Sequence, residues 1–389
     1  MVTTSYPLRP DSVSGIFIQR LVNHLPEDVK VTIITPCGTQ PMTIPTQKNR
    51  HVIEFRYAPY SWQTLAHQPG GLPVAFKNHP ARLLLLPPFL LSLFWNILTT
   101  ARQADLIHAN WSVVGIVAGL AGWITSRPVI TTLRGEDINR ARSSILYRLL
   151  FKLCLRLNQK IVTVSDAFAI LLRQWEPNRS QDIVMIPNGL DTPLFTPSTA
   201  SPPTQSEPLL ITVGSLIPRK GIHLILEALA TLQNLHRFRL LVVGNGPEEA
   251  RLRELTQHHQ LESRVTFHGQ VAPEGVPALL AQADIFLLAS AGEGRANVVL
   301  EAMAMGLPII ASQIEGMSEL VHHGENGLLF DLEDPLSLPQ CIAKLLKYPD
   351  LAHRMGERGR ELIQSWGVDW RATATRYQTL WAETLSCAD

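Results

Sequence analysis

The sequence predicts an α/β protein built from two doubly wound domains that face each other across a cleft. Three observations carry this reading. The chain has 389 residues, and at roughly 100–200 residues per domain that is enough for two. Short apolar runs rich in Val, Ile and Thr alternate with helical stretches, twice over; this is the pattern of buried parallel strands joined by right-handed crossovers. The two series are separated by residues 191–208, DTPLFTPSTASPPTQSEP, whose five prolines and many hydroxyl side chains suit an extended linker rather than a core element.

Taken in order, residues 1–190 place strands at 1–5, 29–36, 52–57, 106–109, 128–133, 161–164 and 183–186. The helices between them fall at 16–25, 82–102, 113–123 and 145–157. After the linker, residues 209–368 place strands at 209–213, 240–243, 265–267, 285–289, 308–311 and 327–330. Helices there begin near residues 221, 248, 273, 296 and 335, and a last helical stretch, 369–386 within residues 369–389, closes the chain. In open parallel sheets ligands bind beyond the carboxyl ends of the strands, so the chemistry is expected in the cleft.

A hydrophobic content of 46% with 17% charged residues excludes a disordered chain. The net charge of +1 conceals an asymmetry: residues 1–190 carry 19 Lys and Arg against 10 Asp and Glu, and residues 191–389 carry 15 against 23. A basic half argues for an anionic partner; nucleic acid is not the expected one. Cys37, Cys154, Cys341 and Cys387 show no short spacing, so reduced thiols are the default. No basic stretch precedes an apolar run at the N-terminus. The expected location is therefore the cytoplasm, with peripheral attachment to the inner face of the cell membrane as an extension of that reading.

Two segments bear on that attachment. Between Arg82 and Arg102 lie 19 uncharged residues, near the length of a membrane span. Pro87 and Pro88 would open a helix here, and Ser92, Asn96, Thr99, Thr100 and Gln103 form a polar stripe along it. That favours a helix packed on the domain core over one lying in, or crossing, a membrane. Further on, no acid occurs from Ile138 to Ser165, while Arg148, Lys152 and Arg156 share one helical face beside Leu149, Leu150, Leu153 and Leu157. A basic amphipathic helix suits an anionic membrane surface, and equally an ordinary solvated face.

Signatures of other nucleotide enzymes are absent. Val243-Gly244-Asn245-Gly246-Pro247 begins like a dinucleotide fingerprint, but Glu249 stands where the third glycine belongs, and no Gly-x4-Gly-Lys-Ser/Thr loop occurs. No Asp-x-Asp pattern is present, and the adjacent pairs His258-His259 and His322-His323 point to different faces; neither a metal nor another cofactor is expected. What remains lies in the second domain. A strand runs into Gly214-Ser215-Leu216-Ile217-Pro218-Arg219-Lys220-Gly221 and then a helix, so two cations beside a helix N-terminus form a candidate diphosphate site. After a later strand, Glu293-Gly294-Arg295-Ala296-Asn297 leads into a helix carrying Glu301. The free amides near Ala296 and Asn297 favour anions, and the flanking carboxylates can grip sugar hydroxyls at Glu293 and ribose hydroxyls at Glu301.

With these stretches in order, together with IHANW (107–111), TLRGEDI (132–138), TVSDAF (163–168), IPNGLDTPLF (186–195), VTFHGQV (265–271) and HHGENGLLF (322–330), the sequence resembles the glycosyltransferase family 4 group, retaining transferases of the GT-B fold. That fold is a pair of Rossmann-like domains. The resemblance implies transfer of a sugar from a nucleotide-diphosphate donor, UDP- or GDP-linked, to a hydroxyl of a lipid-linked or growing glycan in surface polysaccharide synthesis. Arg219 and Lys220 would hold the diphosphate, with Gly214 and Ser215 alongside. The backbone from Gly269 to Val271 would meet the base, Glu293 the sugar, Gly294, Arg295, Ala296 and Asn297 the sugar and phosphates, and Glu301 the ribose. Gly15 would approach the transferred sugar. Trp366, Trp370 and Trp381 would ride on the last helix as it returns to the first domain.

Two departures stand out. Arg134 occupies a place where many members have His, which leaves Arg134, Glu136 and Asp137 as candidates to line the site. Ser215 stands where many carry Arg. His108 ends a strand and either meets the acceptor or is a satisfied core-edge histidine. A nucleotide-sugar epimerase of the same architecture, or a nucleotide-sugar-binding protein without turnover, remain the alternatives.

Overall fold

The computed structural model describes residues 1–8, 14–39, 49–67, 79–196 and 207–387. The chain forms two compact units, Met1–Gly189 with Trp370–Asp389, and Leu190–Asp369. Both are parallel α/β, as expected. Of the expected linker, residues 197–206 lie outside the described residues; its first part is not a free spacer, since Leu190 and Phe195 are buried in the core of the second unit.

In the first unit α1 (Ile16–Asn23), β1 (Val31–Pro36), β2 (Arg50–Phe55), α2 (Leu86–Ala101), β3 (Ile107–Asn110), α3 (Ser112–Thr125) and β4 (Val129–Leu133) follow in order. Then come α4 (Glu136–Ser143), α5 (Ile145–Leu157), β5 (Lys160–Thr163), α6 (Asp166–Trp175) and β6 (Ile183–Met185). Strands β3, β4, β5 and β6 form one parallel run, and β1 pairs with β2. The strand expected at 1–5 contracts to bridging contacts: Val2 pairs with both Ile34 and Ala109 and thereby joins β1 to β3. The chain order across this layer reverses there, between the N-terminal segment and β3.

Helix α2 follows a tight turn at Pro80–Leu85 and carries its two prolines in the first turn, where a missing N–H costs nothing. By length and composition alone Pro80–Ala101 could cross a membrane. One face of it, however, is core: Phe89, Leu93, Ile97 and Ala101 are buried against β3 and α3 residues. Helix α3 packs between α2 and α5. Its glycines allow the approach, since a Cβ at Gly119 would press on Leu157 and one at Gly115 on Thr131 and Cys154. The expected basic face of α5 is corrected: Arg148 stacks 4.8 Å over the Trp175 ring and Lys152 pairs with Glu176 at 2.9 Å, so both turn toward α6. Outward it is Ile145, Leu146, Leu149 and Leu153 that are exposed.

The second unit contains β7 (Leu209–Val213), α7 (Ile222–Leu232), β8 (Arg239–Val243), α8 (Glu249–His258), β9 (Val265–Gly269), α9 (Val276–Leu280) and β10 (Ile285–Leu288). It continues with α10 (Asn297–Ala304), β11 (Ile309–Ser312), β12 (Gly327–Phe330), α11 (Ser337–Lys347) and α12 (Pro349–Trp366). The six strands are parallel in the order β12-β11-β10-β7-β8-β9. Successive residues of β7 feed opposite faces: Leu209 and Ile211 join the core under α9, α10 and α12, and Leu210 the core under α7, α8 and α11. The direction of winding reverses between β7 and β10, which makes their carboxyl ends the switch point where a ligand crevice opens.

The last helix, α13 (Trp370–Ser386), belongs to the first unit. Trp370, Ala374, Tyr377 and Leu380 are buried there with Ile18, Leu21 and Ile130. Trp366 does not ride on it, contrary to expectation: it ends α12 and packs against the second unit's core, ahead of the left-handed Gly367.

Candidate active site

The switch point of the second unit holds most of the expected donor residues. Gly214, Ser215, Arg219 and Lys220 follow β7, and Glu293 through Asn297 follow β10, its neighbour. Lys220 Nζ donates to Glu293 Oε1 at 2.6 Å, with side-chain exposures of only 17% and 10%. Burial alone would raise the Glu293 carboxyl; the Lys220 ammonium, with help from Arg219 and the Ser290 hydroxyl, outweighs it and holds the carboxyl below its ordinary range. Glu293 is therefore a buried carboxylate at neutral pH.

Arg219 braces the facing loop. Its Nη1 donates to the Gly292 carbonyl at 2.9 Å, while its own carbonyl accepts from Ala291 N at 2.8 Å and Ser290 Oγ at 3.2 Å. Gly221, at φ +61°, starts α7, and a Cβ there would collide with the Ala289 carbonyl. The loops after β7 and β10 are thus laced together by backbone contacts on both sides of the ion pair. Ala296 caps α10, buried at 4% exposure, and Asn297 opens the helix, whose first amides lie beside Glu293 in sequence. Glu301 sits one turn into α10, half-buried.

Two contributions were not foreseen. The Val243–Pro247 stretch is no dinucleotide fingerprint, yet its glycines are required: Gly244, at φ +135°, abuts the Gly214 carbonyl, and Gly246 abuts Leu216. Leu216 N donates to the Asn245 carbonyl at 2.8 Å, and Gly244 N to the Gly269 carbonyl at 2.9 Å. The loop after β8 therefore couples the cation loop to Gly269, where a Cβ would meet open space, and to the adjacent half-buried Val271. The loop after β11 also reaches the site: Gly316 lies against the Gly294 carbonyl. The only hint of either was the presence of glycines just after strands.

The first unit gathers a second cluster at its own switch point. Arg134, directly after β4, donates through Nη2 and Nε to Asn110 Oδ1 at 2.8 and 3.2 Å, and through Nη1 to Asn188 Oδ1 at 2.6 Å. Its guanidinium lies 4.1 Å over the Phe17 ring, and burial lowers its pKa. Phe17 meets Trp111 edge-on at 6.2 Å. Trp111 itself adopts φ +71°, ψ 149°, a region that costs a bulky residue about 1–3 kcal/mol and that concentrates at functional sites. Asn110, Trp111, Asn188 and Phe17 were missed as site residues, although three of them lie in the quoted motifs IHANW and IPNGLDTPLF. Gly15 caps α1 in the left-handed region against the Ser5 carbonyl; residues 9–13 lie outside the described residues.

In this unit the assignment of Asp137 is corrected, and His108 takes the second of its two expected readings. Asp137 Oδ1 accepts from Ser112 N at 3.0 Å and Ser112 Oγ at 2.7 Å. It closes the N-terminus of α3, so its role is a cap. His108 is 2% exposed, meets Thr132 Oγ1 at 2.8 Å, and packs on the Tyr377 and Trp381 rings. Burial, the nearby chain amine and Arg134 push its pKa well below the ordinary value, so it is a neutral core histidine shielded from an acceptor. Glu136 begins α4; its side chain lies outside the description. Among the described residues no group of three or more His, Cys, Asp or Glu side chains could hold a metal ion.

A parallel sheet with a caged carboxylate–ammonium pair and a helix N-terminus at its switch point is suited to an anionic, hydroxyl-bearing ligand, and the class of protein follows from comparison with known families. Residues 14–193 match the family Glycosyltransferase Family 4, and residues 198–362 match Glycosyl transferases group 1. The chain belongs to these glycosyltransferases, of the GT-B fold. It is 28% identical over 313 residues to N-acetyl-alpha-D-glucosaminyl L-malate synthase of Bacillus anthracis, covering 77% of this chain and 80% of that protein. Among solved structures, sucrose-phosphate synthase from Thermosynechococcus elongatus superposes with a TM-score of 0.79 at 23% identity, over 99% of each chain. Anabaena HepE in complex with UDP-glucose superposes with a TM-score of 0.75 at 21% identity, over 99% of each chain.

Proposed function

We propose that the chain moves a sugar from a UDP- or GDP-sugar to a hydroxyl of a lipid-linked or growing glycan, with retention at the anomeric carbon, in the synthesis of surface polysaccharide or a related glycoconjugate. The observation that carries this reading is the Lys220–Glu293 pair at the β7/β10 switch point. A donor diphosphate placed there competes for Lys220 and Arg219, and its charge is met further by the amides at the start of α10. Glu293, released from Lys220, accepts hydrogen bonds from the donor sugar. Glu301 receives the ribose, and the backbone at Gly269 and Val271 the base. The UDP-glucose complex of the Anabaena relative supports a nucleotide-sugar donor.

In this reading catalysis is positioning together with electrostatic stabilisation of the departing diphosphate. The cations and helix terminus neutralise that charge without a metal ion. Arg134, fixed by Asn110, Asn188 and Phe17, supplies a rigid cation on the first unit, where the acceptor binds.

The test is a panel of nucleotide sugars with and without membrane lipid extract. Lipid-dependent release of the nucleotide is expected; acceptor-free isomerisation would replace transfer by epimerisation, and binding without turnover would leave a carrier protein. Glu293→Ala should lower turnover at least a hundredfold while the fold, read by circular dichroism, is kept.

A further inference from the structure

We propose that the outer face of helices α2, α3 and α5 docks on the interface of an anionic lipid bilayer. The three helices are neighbours, with α3 in the middle. All connect parallel strands of one layer, so they run alongside one another. Each carries an outward apolar stripe at helical spacing. On α2 and the turn before it these are Leu84, Leu91 and Trp95, exposed by 80%, 70% and 64%. On α3 they are Leu120, Trp123 and Ile124, and on α5 Leu146, Leu149 and Leu153. Nine large apolar side chains on adjoining helices far exceed the scattered exposure that a soluble surface tolerates.

Charge selects the occupant. The acids from residue 79 to residue 165 are Asp105, Glu136 and Asp137 alone, and Asp137 is engaged with Ser112. At the ends of α2 and α5 stand the exposed Arg102 and Arg156. Because the helices run the same way, these cations fall at one end of the face. A second copy presenting this same acid-poor face would offer these cations little to pair with, whereas anionic headgroups complement them. Trp95 and Trp123 have the amphipathic rings that settle at the headgroup level. Helix α2 lies on such a surface and does not span it, because its other face is committed to the protein core.

The inference rests on the lipid-linked acceptor of the proposed transfer for its purpose, but its test is separate. The full chain is sedimented with vesicles of phosphatidylcholine alone and of phosphatidylcholine with phosphatidylglycerol, and nucleotide binding is measured in parallel by calorimetry. Wild type should partition into the anionic vesicles at least tenfold better than into neutral ones, with a blue shift of its Trp fluorescence. The Trp95→Glu/Trp123→Glu variant should lose at least tenfold of that binding with its melting temperature and nucleotide affinity unchanged, and Arg102→Glu/Arg156→Glu should abolish the preference for anionic lipid. Absence of wild-type binding to both vesicles, or undiminished binding by the Trp variant, overturns the proposal. So does a lipid-free dimer that Trp123→Glu dissociates, which would make a second copy the occupant. Failure of the donor reading would appear instead as absent nucleotide binding, whatever the vesicles show.

Discussion

Lys220 and Glu293 meet at 2.6 Å where water barely reaches, and that single contact bears on stability and, in the proposed transfer, on the chemistry. Removing one partner strands the other as a buried charge, a loss of about 3 kcal/mol or more. Lys220→Met should therefore lower the melting temperature by several degrees, and Lys220→Met/Glu293→Gln should recover most of it, as differential scanning calorimetry would show. The sign of the pH dependence follows. The folded carboxyl titrates below its ordinary value of 4.5, so its stabilisation is complete above that pH and is lost as the pH falls through the lowered folded value. The acid limb of the stability curve should be shallower in Glu293→Gln than in wild type. At the first unit's switch point Arg134 shows the same economy of residue choice. A planar, permanently charged fork can be held by two amides and an aromatic face at once, which a histidine in its place could not.

At the scale of elements, the loops after β7, β8 and β10 hold one another by backbone contacts that side chains would block. Gly221→Ala and Gly244→Ala each put a Cβ into a carbonyl oxygen while demanding a positive φ. Each should cost about 1–3 kcal/mol and weaken nucleotide binding more than tenfold, measured by calorimetry against wild type; unchanged affinity would separate the loop after β8 from the donor site. The β7 and β12 boundaries, the Arg219–Lys220 loop and the Glu293–Asn297 loop were legible in the sequence, because buried parallel strands and the glycines that follow them leave strong local marks. Helix α12 was not. Its Gly356 and Gly359 argue against a helix locally, but Gly356 lets it close onto the turn at Gly306–Pro308, a tertiary reason invisible in one dimension. Helix α4, EDINRARS, has too few apolar residues for any period to show. The orientation of α5 was misread for a related cause: Arg148 and Lys152 looked solvated until Trp175 and Glu176, more than twenty residues on, proved to be their partners. His108 and Asp137 carry catalytic chemistry in their side chains, and only the positions of Tyr377 and Ser112 reveal that both are structural.

At the scale of the whole molecule, the two units differ in how the chain builds them. Leu190–Asp369 is one continuous segment, entered and left side by side, since Leu190 N donates to the Val368 carbonyl at 2.7 Å. The first unit is discontinuous: its core needs Trp370 and Tyr377, whose hydroxyl meets Thr132 Oγ1 at 3.1 Å, and Thr373 Oγ1 donates to the Pro187 carbonyl at 3.1 Å. A fragment of residues 190–369 should thus unfold cooperatively and bind nucleotide by itself. A fragment of residues 1–189 should remain loosely packed until a peptide of residues 370–389 is added; a cooperative transition in the lone fragment would refute this.

That last helix also sets a timetable. As the ribosome releases the chain, the first half emerges ahead of the second but lacks its lid of aromatic residues until α13 has followed both. The second half can finish first. For the duration of synthesis of about 180 residues, which at about 5–20 residues per second is some ten to forty seconds, the first half waits with the floor beneath α13 uncovered. It is the nascent chain, more than the finished enzyme, that needs shelter there.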